Sequence, residues 1–115
     1  MVGHYDLEDR TLEFARQVIK FQRGLVKTLA NTETSRQLIR SSGSVGANYI
    51  EANESLSKKD FVMRVKICRK EAKETVYWLK LLEIQSEAEE ILRMKMIQEA
   101  TELMKIFGAI IEKTK

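Results

Sequence analysis

The stretch QLIRSSGSVGANYIEANE, residues Gln37–Glu54, decides the fold of this chain. Its apolar residues recur with the period of a helix, yet small residues fill many positions where helix propensity favours longer side chains. These small residues are Ser41, Ser42, Gly43, Ser44, Gly46 and Ala47. A glycine inside a helix lowers helix stability by about 1 kcal/mol relative to alanine. The usual reason for its presence is that it allows another backbone to approach closely. The stretch therefore predicts a helix that packs tightly against its neighbours.

Length and composition predict one mainly helical domain covering residues 1–115. Of the 115 residues, 32% are charged and 43% hydrophobic, and there is no proline. No apolar run approaches the ~18 residues of a membrane span, and the N-terminus lacks the pattern of a secretory signal. The single cysteine, Cys68, has no partner for an internal disulfide, which agrees with a reducing compartment. We therefore expect a cytoplasmic protein with no membrane partner.

Four helical segments account for nearly the whole chain. They are predicted at about residues 7–29, 35–56, 58–85 and 87–113. The break between the first two is assigned to the sequence ANTET, residues 30–34, where asparagine and threonine offer N-caps. Ser57 and Ser86 are the predicted N-caps of the third and fourth helices, each with an acidic residue three positions on. Because short connections favour antiparallel neighbours, we predict an all-α fold, an antiparallel up-down-up-down four-helix bundle.

The third helix carries a basic stripe opposite its core face, in a chain of net charge +3. The basic stripe consists of Lys59, Lys66, Lys70, Lys73, Tyr77 and Lys80. Lysines four residues apart repel each other, and a phosphate backbone would reverse that cost while tyrosine stacks on an unpaired base. The alternative is a solvated face, with Glu74 partly neutralising Lys70. Together with Arg36 and Arg40 of the second helix, the basic stripe is the predicted nucleic-acid-binding surface.

Another face of the third helix carries Ile67, Glu71 and Trp78, and the apolar Ile67 and Trp78 lie too far round the helix to join the core fully. These residues either cap the edge of the bundle or form a subunit interface, where tryptophan acts as an energetic anchor. A bundle this small with apolar residues on more than one face would expose a sizeable patch as a monomer. We therefore expect a homo-oligomer whose interface includes these three residues together with Gly43 and Gly46.

The sequence shows no catalytic or metal-binding constellation. His4 is the only histidine, so a histidine base or metal cluster is not expected. Cys68 shares the core seam of the third helix and has no histidine to activate it. Two pairs of glutamates have the spacing of di-metal bundles but lack the Glu-x-x-His partner that such sites use. The sequence therefore predicts a protein that is not an enzyme and uses no cofactor or metal.

Residues 37–61 resemble the bacterial four helix bundle protein family, which includes proteins encoded within intervening sequences of 23S rRNA genes. The family pattern is Ile/Leu-Arg-x-x-x-Ser-Ile/Val-Pro-x-Asn-Ile-Ala-Glu-Gly, followed by Ser-x-Lys-Glu/Asp-Phe. Its matches here are Ile39, Arg40, Ser44, Val45, Asn48, Glu51, Ser57, Lys59, Asp60 and Phe61. Gly46 replaces the proline and Ala52 the final glycine of the first run. Both replacements are small, so close packing is retained, while the bend that proline imposes on a helix is not assured.

The resemblance implies a homopentamer, in which five bundles form a ring around a central channel. It also implies kinship with the accessory protein of diversity-generating retroelements, a basic pentamer that binds nucleic acid and the reverse transcriptase. No enzymatic activity is attached to the family. From the residues themselves, we expect Asn48 and Glu51 to hydrogen-bond across a helix contact.

The expected function is that of a non-enzymatic, cyclic oligomer that binds RNA or DNA through its basic surface. The alternative is a protein-interaction scaffold, in which the ring docks onto a partner protein and binds no nucleic acid. A steep loss of nucleic-acid affinity with added salt separates the first hypothesis from the second.

Overall fold

The computed structural model describes residues 2–115, with side chains from residue 7 onward, as four α-helices. The helices are α1 (Val2–Arg23), α2 (Leu29–Asn53), α3 (Lys58–Leu81) and α4 (Glu87–Thr114). No strand occurs among the described residues, so the predicted all-α class is confirmed. In the same part of the chain, no helix combines the length and the apolar character needed to cross a membrane.

Each helix packs against two others. α1 contacts α2 and α4, and α3 also contacts α2 and α4. In the first turn of α2, the side-chain amide of Asn31 donates to the carbonyl oxygen of Glu83 at 3.1 Å. The Asn31 side chain also accepts from the Glu83 amide at 2.7 Å, just beyond the end of α3. At the other end of α2, Asn53 donates to the Glu8 carboxylate of α1 at 2.8 Å. These hydrogen bonds fix the register of α2 against both neighbours.

The predicted boundary between the first two helices is wrong. α1 ends at Arg23 rather than near residue 29, and α2 begins at Leu29 rather than near residue 35. The N-cap of α2 is Thr28, which has extended backbone angles and accepts from the Asn31 amide at 3.1 Å. Residues 30–34 therefore lie inside α2, where the polar Asn31 side chain serves a tertiary contact instead of a cap.

The other two helix starts agree with the sequence. Ser57 accepts from the Asp60 amide and Ser86 accepts from the Glu89 amide, both at 3.1 Å. Such caps satisfy amide groups that have no partner within the helix. α3 ends at Leu81, earlier than the predicted residue 85.

The interior of the bundle is an apolar core to which all four helices contribute. The largest fully buried aliphatic and aromatic side chains are Val18, Leu38, Val45, Val65, Leu79, Leu103 and Phe107. Small polar residues of α2 are buried as well. Their small size lets α3 approach closely. The Ser41 and Thr75 hydroxyls lie 2.9 Å apart and share a hydrogen bond across this contact. No buried side-chain nitrogen or oxygen of the described residues lacks a hydrogen-bond partner.

Gly46 allows α1 to approach α2. A Cβ atom at Gly46 would lie 2.8 Å from Thr11 Oγ1 and 3.1 Å from Thr11 Cβ. Thr11 is buried, and its hydroxyl donates to the carbonyl oxygens of Leu7 and Glu8 at 2.9 and 3.0 Å, so it has little freedom to move. The close neighbour of Gly46 is thus α1 of the same chain, although the sequence assigned this glycine to a subunit interface. The predicted interface residue Gly43, by contrast, has nothing within 4 Å of its Cβ position.

Replacing Gly46 by alanine should destabilise the bundle by about 1–2 kcal/mol, because the cost of overpacking exceeds the gain in helix propensity. Gly108→Ala in α4 is the matched control, and it should stabilise the protein by roughly 0.5–1 kcal/mol because the atom nearest to its Cβ position, Arg69 Nη1, lies 3.9 Å away. Urea unfolding monitored by circular dichroism measures both changes. In a Thr11→Ala background the Gly46→Ala penalty should shrink, and an unchanged penalty would contradict the assigned contact.

Candidate nucleic-acid interface

All members of the basic stripe lie exposed on the outer side of α3. Successive residues of a helix are rotated by about 100°, which places the stripe opposite the buried Val65, Cys68 and Ala72. Lys70 Nζ lies 3.8 Å from Glu71 Oε2. The other four lysines have no carboxylate of a described residue within 4.0 Å. The stripe is therefore a run of cations that the bundle itself barely neutralises.

Apolar side chains lie among the first lysines of the stripe. A shallow groove of about 750 Å³ runs along the start of α3. Its lining residues are Lys58, Lys59, Val62, Met63, Lys66, Ile67 and Lys70. Further along, Tyr77 is 57% exposed and its ring meets Trp78 edge to face, with centroids 5.0 Å apart. The surface thus combines positive charge with groups that can pack on a base or an apolar side chain.

Arg40 belongs to an ion-paired network between α2 and α3. Its guanidinium lies 3.5 Å from the Glu71 carboxylate and also pairs with Glu74. Trp78 Nε1 donates to the same Glu74 carboxylate at 3.3 Å. Glu71 is buried, and a buried carboxylate needs a charged, hydrogen-bonding partner to offset its lost hydration. We call Arg40, Glu71, Glu74 and Trp78 the interhelix network.

The interhelix network changes the role of several residues that the sequence singled out. Glu74 pairs with Arg40, whereas the solvated-face alternative paired it with Lys70. Glu71, predicted at a subunit interface, has its ion pair within the chain. Arg36 lies outside the network and is exposed, and its ion pair among the described residues is with the Glu33 carboxylate at 3.9 Å.

Two further motif residues, Asn48 and Glu51, differ in their contacts. Asn48 donates to the Ser44 carbonyl oxygen at 2.8 Å and accepts from Arg64 of α3 at 3.0 Å, so the predicted hydrogen bond across a helix contact is confirmed for Asn48. The Glu51 carboxylate is exposed and bonds to none of the described residues, so the same prediction is wrong for Glu51. Asn48 thus helps to hold α2 against α3.

A second apolar surface lies on the side of α2 that faces α1. Leu12, Ile19, Ile39 and Ile50 are between 36% and 52% exposed. Leu12 and Ile19 are two turns apart on α1, while Ile39 and Ile50 share one face of α2 with Gly43 between them. We call these five residues the aliphatic strip. The periodicity of α2 predicts that Ile39 and Ile50 share a face. No such pattern predicts the α1 residues of the strip, because Leu12 and Ile19 are out of phase with the core residues of α1.

The residues considered for catalysis show no reactive arrangement. Cys68 is fully buried, and burial raises the pKa of its thiol to about 12, so it stays protonated at neutral pH. Within the described residues, no group of three or more histidine, cysteine, aspartate and glutamate side chains has a geometry suited to a metal ion. His4 lies outside the residues whose side chains are described.

Comparison with known proteins identifies one family and similar solved structures. A family model described as 23S rRNA-intervening sequence protein matches residues 4–109. A crystal structure of a protein of unknown function from the S23 ribosomal protein family of Bacteroides thetaiotaomicron VPI-5482 is 34% identical to the chain, with a TM-score of 0.78. The match covers 90% of this chain and 96% of that one. No curated protein matches the sequence.

Replacing Arg40 by methionine should destabilise the protein by about 1–2 kcal/mol, because the buried Glu71 carboxylate loses its guanidinium partner. The estimate is below that for a fully buried pair because the Arg40 side chain is 49% exposed. Arg36→Met removes an equal charge from an exposed pair and should change stability by less than about 0.5 kcal/mol. Equal unfolding free energies for the two variants in urea would show that the interhelix network contributes nothing.

Proposed function

Because the chain belongs to the family of 23S rRNA-intervening sequence proteins, we propose that it is a non-enzymatic oligomer that binds RNA or DNA through the basic stripe. The observation that carries this proposal is the set of lysines on one exposed face of α3, four of which have no carboxylate partner among the described residues. Bringing five lysines onto one face costs repulsion, which phosphate groups relieve. The proposal includes a cytoplasmic location and no cofactor.

Phosphate contacts account for both the affinity and the specificity expected of this surface. Lys59 and Lys80 are separated by about 30 Å along the helix axis at 1.5 Å per residue, enough to follow several phosphates. If all five lysines contact phosphates, log K falls with log salt with a slope of about −3.5 for a single strand and −4.5 for duplex DNA. Stacking on Tyr77 would favour single strands by about 1–3 kcal/mol per base. Such contacts carry little sequence information.

The two arginines of α2 have different roles in the proposal. Arg36 is exposed with one loose pair, so it is free to extend the phosphate contacts beyond the basic stripe. Arg40 is held by the interhelix network, and we assign it to holding α3 in place.

The oligomer is supported by apolar residues on two sides of the bundle. The aliphatic strip lies on the α1–α2 side, and the half-buried Ile67 and Trp78 lie towards the α2–α3 edge. In a ring each copy uses two different faces, one towards each neighbour. In an up-down-up-down bundle these two sides share α2 and face different directions, as the two interfaces of each copy in a closed ring do. A homopentamer is the assembly that the family resemblance favours.

A protein-interaction scaffold is the second candidate, and the apolar groove beside the stripe lysines favours it. Met63 is 54% exposed there, and Leu81 is 47% exposed at the end of the same helix. Exposed aliphatic and thioether groups gain little from phosphates but pack well against protein side chains. Salt dependence distinguishes the candidates, because only nucleic-acid binding releases condensed counterions.

Reversing the charge of Lys66, Lys70 and Lys73 to glutamate should lower the affinity for a labelled single-stranded RNA by about 100-fold at moderate salt. Fluorescence anisotropy over a series of salt concentrations measures the affinity and its slope. The matched control reverses Lys27, Lys105 and Lys113, which are exposed elsewhere, and should lose less than about threefold. An equal loss in both variants would mean that only net charge matters. Absence of binding by the unmodified protein at low salt would favour the scaffold.

The double variant Ile39→Asp/Ile50→Asp should dissociate the oligomer to the 13.3 kDa chain, because it places two charges in an apolar interface. Light scattering after size-exclusion chromatography gives the mass, and circular dichroism checks that the helices remain. Leu56→Asp, at a residue 98% exposed, is the control and should keep the mass of the unmodified protein. A monomeric unmodified protein, or a double variant of unchanged mass, would contradict this interface.

A further inference from the structure

An elongated groove opens between α1 and α4, separate from the basic stripe. Its volume is about 660 Å³, within the range of about 300–1,000 Å³ that is typical of small-molecule sites. It follows α1 from Arg10 to Gly24, a length of about 20 Å at 1.5 Å per residue. At Gly24 a side chain would meet little, since the nearest atom to its Cβ position is the Phe21 carbonyl oxygen at 3.7 Å. The groove is therefore long and uncrowded at its Gly24 end.

The floor and wall of the groove are apolar. Phe14 and Phe21 of α1 and Met96 of α4 form the floor and are almost fully buried. Leu92 forms part of the α4 wall and remains 49% exposed. A flexible hydrocarbon chain laid along these residues would gain about 0.8 kcal/mol for each buried CH₂ group. The shape and lining together favour a linear apolar chain over a compact polar molecule.

The acidic groups at the rim already have partners within the chain. Glu99 accepts from Arg10 Nε and Nη2 at 2.6 and 2.8 Å, and Glu13 accepts from Gln17 at 2.6 Å. Glu89 accepts from a backbone amide at 2.8 Å. The hydrogen bond to Glu99 raises the pKa of Arg10 despite partial burial, so this pair stays ionised.

The two lysines at the rim, unlike the acidic groups, have no partner among the described residues. Lys20 on α1 and Lys95 on α4 flank the groove and are exposed. Neither forms an ion pair or a hydrogen bond with any other described residue. An anionic head group between them would gain two favourable charge interactions without displacing a contact of the folded chain.

We propose that the α1–α4 groove is a binding site for a free fatty acid, with the acyl chain on the apolar floor and the carboxylate held by Lys20 and Lys95. Lys20 and Lys95, which pair with no carboxylate of the described residues, supply positive charge for an anionic head, and the apolar floor takes the hydrocarbon chain. The site uses no residue of the basic stripe or the aliphatic strip, so it stands independently of the proposed nucleic-acid binding and assembly.

Isothermal titration calorimetry of the full-length protein with dodecanoate, kept below its micelle concentration, tests the site. We expect saturable binding of one dodecanoate per chain. Lys20→Glu/Lys95→Glu should weaken it by about tenfold or more, because two attractive charges become repulsive. The control Lys27→Glu/Lys113→Glu carries the same net charge and should stay within about twofold of the unmodified protein, since both lysines lie outside the groove.

A second set of measurements tests the apolar half of the site. Leu92→Gln should weaken binding of both dodecanoate and neutral dodecanol, while the rim double variant should affect only dodecanoate. Circular dichroism establishes that each variant keeps its helices. The proposal is overturned if dodecanoate does not bind saturably, if dodecyltrimethylammonium binds as tightly as dodecanoate, or if the rim and control variants lose affinity equally.

Discussion

The second helix lies between α1 and α3, and it touches both through residues too small to hold those helices apart. On one side Gly46 leaves room for the buried Thr11 side chain of α1. On the other side Ser41 shares a buried hydrogen bond with Thr75 of α3. Because both contacts depend on short distances, α2 determines where its neighbours lie. The outward faces of α1 and α3, including the basic stripe, are positioned by this packing.

The sequence predicted the helix caps whose hydrogen-bond partners lie close along the chain. Ser57 and Ser86 cap their helices because each bonds to an amide three residues on, so residue type and spacing were sufficient. The start of α2 was misplaced because several residues in ANTET are equally good caps. Asn31 was among them, and its actual partner Glu83 lies 52 residues away in sequence. No local rule reveals such a partner.

For the candidate surface, too, the sequence predicted what depends on a single helix and not what depends on contacts between helices. Exposure of the α3 lysines follows from helical phase, since the core residues of that helix are unambiguous. The role of Arg40 was not predictable in this way. Its motif position and charge suggested a phosphate contact, and only the approach of α3 brings Glu71 and Glu74 to its guanidinium. The exposed Leu12 and Ile19 were also not predictable. A side chain that points away from the core of its own chain follows no sequence pattern that identifies the surface it packs against.

The unequal packing of the four helices has a consequence for the order in which the molecule opens. α2 and α3 share the interhelix network, the Ser41–Thr75 hydrogen bond and the Asn31 bridge, whereas α1 meets α4 along a seam that leaves a groove. Local opening takes the path that breaks the fewest buried contacts. Separation of α1 from α4 breaks the Arg10–Glu99 ion pair but little apolar contact along the groove. We therefore expect α1 to open more readily than the α2–α3 pair, whose amides should exchange more slowly in deuterated water.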